Sequence, residues 1–106
     1  MKHFITACLI TFFASSSSGD TFLSARNAHT LCTTAATQWV DFCNGLIQGY
    51  ADYAVLTGNA CIPSGTTRTT MITIYTDRLP GSQAYKNNEP ALMAAVEILS
   101  RAYSCR

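Results

Sequence analysis

The sequence predicts an all-α fold: a small antiparallel bundle of three to five helices stapled by two disulfides. Three observations carry that expectation. Apolar residues recur at helical spacing through most of the chain. A short leader, basic then apolar then small, opens it. Four cysteines follow that leader in a chain too short for a large core.

The leader comes first. Lys2 and His3 precede an apolar run over residues 4–14, and small residues occupy positions 14–19. This is the layout of a secretory signal peptide, expected over residues 1–18, with a single helical domain over residues 19–106. The run is shorter than the roughly 20 apolar residues that span a bilayer. Cys8 leaves with the leader and sits too early to be a lipoprotein acceptor. The mature chain is therefore expected outside the cytoplasm, with no membrane attachment once the leader is removed.

In an oxidising compartment Cys32, Cys43, Cys61 and Cys105 read as two disulfides. No C-x-x-C pair favours a metal site instead. Cys43 and Cys61 flank most of the second expected helix, about 20 Å apart at about 1.5 Å rise per residue, which disfavours their pairing. Cys32–Cys43 with Cys61–Cys105 is preferred, and Cys32–Cys61 with Cys43–Cys105 stays open. On the chain-entropy model, loops of about 12 and about 45 residues contribute about 3 and about 4 kcal/mol. Seven basic residues against six acidic ones, without a cluster, make nucleic acid an unpromising partner.

The elements follow in order. Phe22, Leu23, Ala25, Ala28 and Leu31 predict a short helix over residues 21–32, with Asp20 or Thr21 as N-cap. Trp39, Cys43, Leu46, Ile47, Tyr50, Ala54 and Val55 mark one face of a long helix over residues 36–56. Gly58 suits a left-handed stop. Gly45 and Gly49 lie inside that helix, each costing up to about 1 kcal/mol, which close approach of another helix would offset. Residues 61–65 read as a turn. Residues 66–79 are balanced: threonine, isoleucine and tyrosine favour a strand, while Met71, Ile74, Tyr75 and Leu79 fit a helix face. Residues 80–90 read as a polar loop. A last helix over residues 89–103 has Asn87 or Asn88 as N-cap, Pro90 in its first turn and an apolar stripe of Leu92, Ala95, Val96, Leu99, Ala102 and Tyr103.

The run Cys43-Asn44-Gly45-Leu46-Ile47-Gln48-Gly49-Tyr50-Ala51-Asp52 resembles the C-x-G-[aromatic]-[aliphatic]-x-G-x-x-D helix of the periplasmic amidase-immunity proteins of type VI secretion, the Tai family. Cys61-Ile62-Pro63 resembles that family's C-x-P turn, and a final helix ending at Cys105 completes the order. Leu46 stands where the family has an aromatic. The resemblance covers nearly all of the mature chain, with Cys43, Gly45, Gly49, Asp52 and Pro63 as its motif positions. It implies a compact all-α periplasmic domain that blocks a peptidoglycan amidase, a family in which homodimers occur. It also implies that a loop of the protein can enter the amidase's groove, and it tips residues 66–79 toward helix.

The residues themselves offer no chemistry. His29 is the one histidine past the leader, the thiols are expected to be oxidised, and no G-x-S-x-G or metal-ligand cluster is present. Neither catalysis nor a cofactor is expected. The best recognition segment is the expected loop over residues 77–89, with Arg78, Leu79, Ser82, Tyr85 and Lys86 as candidate partner contacts. Truncating Tyr85 should weaken partner binding and leave stability alone. Asp52 is expected to hydrogen-bond the neighbouring loop. The competing function is a small periplasmic acid-stress chaperone of similar helical build, which would hold clients on exposed apolar surface.

Overall fold

The computed structural model describes residues 22–34 and 36–106. The expected signal segment with Cys8, and the proposed caps at Asp20 and Thr21, lie outside the described residues. Within them the chain forms five α-helices and one short 3-10 turn, and no strand.

Helix α1 spans Ala25–Cys32 and starts later than its apolar spacing suggested. Its N-cap is Ser24, whose hydroxyl accepts from the Asn27 N–H at 3.1 Å. The start is set from outside the helix. The Ala25 N–H donates to the Glu89 carbonyl at 2.8 Å, and the Ala91 N–H donates to the Leu23 carbonyl at 2.7 Å. These two bonds flank an antiparallel bridge between Ser24 and Pro90, which holds Ser24 extended. Phe22, expected on a helix face, is exposed.

Helix α2 spans Thr37–Leu56, and its buried face is Cys43, Ile47, Ala51 and Ala54. Val55, expected inside, is exposed, and Leu46 is only half-buried. The helix stops as expected at Gly58, whose φ of 75° is accessible to glycine without strain. The Asn59 N–H donates to the Ala54 carbonyl at 2.8 Å and the Gly58 N–H to the Val55 carbonyl at 3.0 Å, the paired bonds of a Schellman stop. Gly45 and Gly49 do not mark a close approach: a Cβ at either would meet nothing within 4 Å. Both face solvent, so no helix contact among the described residues offsets their cost.

A turn over residues 61–66 leads to α3, Arg68–Arg78, so the balanced segment is helical. Thr67 caps it, accepting from the Thr70 N–H at 3.1 Å. The threonines that argued for a strand bond back along the helix. The Thr73 hydroxyl donates to the Thr69 carbonyl at 3.0 Å and the Thr76 hydroxyl to the Ile72 carbonyl at 2.9 Å. Met71 and Tyr75 are the buried residues of this helix.

The expected loop over residues 80–90 is largely ordered. It holds the 3-10 turn Leu79–Gly81 and the short helix α4, Gln83–Lys86. Asn87 caps the C-terminus of α4, and Asn88 takes a positive φ of 54°; neither is the N-cap of the last helix. Helix α5, Ala91–Ala102, begins after Pro90 without a side-chain cap, its first N–H groups occupied in part by the bond to Leu23. Its buried face is Ala91, Ala94, Ala95, Ile98 and Leu99, while Leu92 and Val96 are only half-buried. Helix α5 packs against each of α1 to α4. Alanine lets backbones come close, so small residues take the crowded face and the larger ones move to its edge.

The largest fully buried side chains are Ile47, Tyr75, Leu79 and Leu99. The Tyr75 hydroxyl donates to the Ala91 carbonyl at 3.0 Å, which satisfies its one polar group. Burial, with Tyr50 nearby, holds the Tyr75 phenol well above the usual tyrosine range, and burial raises Tyr50 as well. Among the described residues no buried side-chain nitrogen or oxygen lacks a partner.

The disulfides are Cys32–Cys43 and Cys61–Cys105, with Cα–Cα separations of 5.6 and 5.0 Å. The preferred pairing is the one formed. The first joins α1 to α2; the second ties the end of the chain beside the turn after α2, where the Cys61 N–H donates to the Tyr103 carbonyl at 2.8 Å. Two disulfides mark a domain that matures in an oxidising environment. No helix among the described residues is long and apolar enough to cross a membrane.

Candidate partner-binding surface

The surface at the junction of α1, α3, α4 and α5 is built from a polar stretch that the fold holds in place. Ser82 is extended and buried, and its hydroxyl serves both neighbours. It donates to the Leu79 carbonyl at 2.7 Å, closing the 3-10 turn, and accepts from the Tyr85 N–H at 3.1 Å, capping α4. Glu97 reaches across from α5, and its two carboxylate oxygens lie 3.0 and 3.1 Å from the Gln83 N–H. The donors at the start of α4 are thus met by one side chain from its own loop and one from another helix.

Arg26 of α1 secures the other end of α4. Its Nε donates to the Tyr85 carbonyl at 2.9 Å and its Nη2 to the Lys86 carbonyl at 3.0 Å. The guanidinium carbon lies 5.7 Å from the Tyr85 ring centroid, and His29 meets the same ring edge-on at 5.9 Å. A cation at the carbonyl end of a helix is also favoured by the backbone dipoles.

The predicted contacts divide accordingly. Arg78 and Lys86 are exposed and Tyr85 is half-buried. Leu79 is 0 % exposed and Ser82 2 %, so one belongs to the core and the other is an internal cap. Tyr85 also supports the fold through Arg26 and His29, so its truncation is now expected to lower stability as well. Sequence reasoning missed Arg26, Glu97 and Arg101. The Glu97–Arg101 spacing was visible as an i,i+4 pair on the last helix. Arg26 bonds 59 and 60 positions away, which no local pattern announces.

Beside this junction lies a cavity of about 270 Å³ lined by Asp77, Arg78, Gly81, Ser82, Glu97, Ile98 and Arg101. A second concavity of about 220 Å³, lined by Tyr53, Asn59, Leu92, Met93 and Val96, lies beside the contact of α2 with α5 and is mostly apolar.

The motif positions do not converge on either cavity. Cys43 is buried in its disulfide, Gly45 and Gly49 are open, and the Pro63 carbonyl accepts from the Thr66 N–H at 3.1 Å. Asp52 accepts from the Gln48 side-chain amide at 3.0 Å, along its own helix rather than from the neighbouring loop. Among the described residues no group of three or more histidine, cysteine or carboxylate side chains is placed to hold a metal ion. No protein-family model matches the chain, and no curated protein or solved structure matches it at a significant level.

Proposed function

We propose that the protein is an exported inhibitor, an immunity protein of the amidase-immunity kind that binds a type VI secreted peptidoglycan amidase and occludes its active site. On this reading residues 1–18 direct export, the mature domain works in the periplasm, and it acts by stoichiometric contact with no cofactor and no chemistry of its own. The observation that carries it is the junction of α1, α3, α4 and α5. There a polar, partly aromatic surface is held by Arg26, Ser82 and Glu97 before any partner arrives. Preorganisation of that kind removes ordering cost from binding, which tight occlusion requires. The ordered motif, from the Cys43 helix through the Cys61-Ile62-Pro63 turn to Cys105, supports the same reading.

The test is calorimetric titration of the oxidised mature domain into the product of the adjacent gene. Nanomolar, stoichiometric binding with loss of amidase activity is the expected result. Absence of heat and undiminished amidase activity would refute the reading for that partner.

One observation favours a second reading, the acid-stress chaperone. Phe42, Tyr53, Val55 and Leu56 of α2 and Met93 of α5 are large apolar residues between 40 % and 84 % exposed. Such surface suits weak capture of many clients. Suppressed light scattering from several unrelated clients at low pH would support this reading, and indifference to them would remove it.

A further inference from the structure

We propose that the cavity between the end of α3, the Leu79–Gly81 turn and the middle of α5 is a carboxylate site that receives an acidic side chain of a protein partner. The inference rests on this junction being a docking surface, as in the proposed function, and does not depend on the partner being an amidase.

Arg78 and Arg101 line the cavity, and each carries a guanidinium with five N–H donors and no acceptor. The Arg78 side chain makes no hydrogen bond or ion pair among the described residues, whose one ion pair is Glu97–Arg101. Arg101 has one partner there, Glu97, at 4.0 Å, and its side chain is 74 % exposed. Glu97 offers those donors only part of its acceptor capacity, because both its oxygens already share the Gln83 N–H at 3.0 and 3.1 Å. The Ser82 hydroxyl is engaged as well, donating its hydrogen to Leu79 and accepting from Tyr85, and it is buried. Asp77 is the remaining carboxylate of the lining, adjacent in sequence to Arg78 at the end of its helix.

The cavity thus carries a surplus of donors around an apolar base at Ile98, which is 4 % exposed. A planar carboxylate on a short alkyl stem matches that arrangement, since guanidinium groups can hold both its oxygens. Arg26 shows that an arginine in this fold can be fully engaged, by two carbonyls and an aromatic ring. Among the described residues the Arg78 side chain is left without such partners.

The formal charges of the lining cancel: Asp77 and Glu97 against Arg78 and Arg101. A free anion should therefore bind weakly. That favours a side chain presented by a larger partner, where the site contributes register and specificity more than affinity.

The experiment follows the arginine Nε–Hε signals of the oxidised mature domain by NMR. Probes are a blocked Gly-Glu-Gly peptide, its Gly-Lys-Gly counterpart and succinate, at matched ionic strength. The glutamyl peptide should shift Arg78 and Arg101 saturably and leave the exposed Arg68 and Arg106 nearly still. Arg78→Gln and Arg101→Gln, each checked for an unchanged amide spectrum, should weaken that binding about two- to fivefold, the scale of an open ion pair. Equal shifts at all four arginines would reduce the effect to screening and overturn the site. Preference for the lysyl peptide would reverse its sign, and tighter binding of succinate would make it a small-molecule site; either overturns the proposal. Because no amidase is present, a failure here is separate from a failure of the inhibitor reading.

Discussion

Between residues 79 and 89 the chain is mostly polar, with a proline, a glycine and two adjacent asparagines, yet it is held at almost every turn. The outer side of α2 carries Phe42, Tyr53 and Leu56 around Gly45 and Gly49, and it lies open to solvent. Hydropathy ranks these two regions in the wrong order for burial and fixity. The polar stretch is fixed because its donors and acceptors find specific partners: Ser82 within it, Arg26 from α1 and Glu97 from α5. The apolar helix side is open because α2 already meets the core through Cys43, Ile47, Ala51 and Ala54. A helix has one face to give to a core of this size. What remains apolar on the other side is surface for a partner or a cost in solubility.

Removing covalent staples is the severest way to probe the comparison. Replacing Cys61 and Cys105 together with serine releases a loop of 44 positions and should lower the unfolding free energy by about 4 kcal/mol on the chain-entropy model. Chemical denaturation checks the size of the loss. Amide exchange checks its place: residues 79–89 should keep their protection relative to the rest of the domain, because side-chain bonds rather than the staple hold them. Selective exposure of that stretch would assign its order to the disulfide.

Leu79→Ala is next, at about 3 kcal/mol for a large-to-small change in a packed core. Were Leu79 a surface contact, the change would stay within about 0.5 kcal/mol, so a urea titration separates the two roles directly.

Tyr75 supplies a pH test beneath the same junction. Its phenol titrates well above the unfolded value of about 10, so the folded state holds its proton longer than the unfolded state does. Stability is therefore complete below pH 10 and should fall above it, by up to about 1.4 kcal/mol per pH unit while only the unfolded chain ionises. Tyr75→Phe should flatten that alkaline slope, leaving a smaller contribution from Tyr50; an unchanged slope would move the effect elsewhere.

Arg26→Gln removes two charge-assisted bonds and a cation–π contact from an exposed position, with an expected loss of about 1 kcal/mol. Exchange should increase locally over α4. The smallest effect has the opposite sign. Gly45→Ala and Gly49→Ala should each stabilise the isolated domain by about 0.5–1 kcal/mol, since the new methyl meets nothing within 4 Å. If either alanine instead destabilises the protein or weakens a partner complex, that side of α2 is covered in solution.

Several features were legible in the residues alone. The all-α class, the long second helix and its stop at Gly58 follow from local spacing and the conformational freedom of one glycine. Helix length disfavoured one of the three disulfide pairings, because a rigid rod keeps Cys43 away from Cys61, and the fold chose between the other two. The start of α1 was not legible: Ser24 became the cap only because Leu23 and Ala25 bond to residues 89–91. The character of residues 66–79 was balanced, since threonine back-bonding and strand propensity compete on equal terms until neighbours decide. At the candidate site Arg78, Tyr85 and Lys86 were found on the surface, while Leu79 and Ser82 proved internal.

By itself the sequence determined which segments could be helical, where one had to stop, and which cysteines could meet, because these depend on rise per residue and backbone freedom. The tertiary structure decided which face each helix buried. Helix α5 turned Ala91, Ala94 and Ala95 inward and left Leu92 and Val96 at the edge, since four helices crowd against it and only small side chains admit them. It also decided that a polar stretch would be fixed, through bonds spanning up to 64 positions, from Ala25 to Glu89, whose partners no local pattern names.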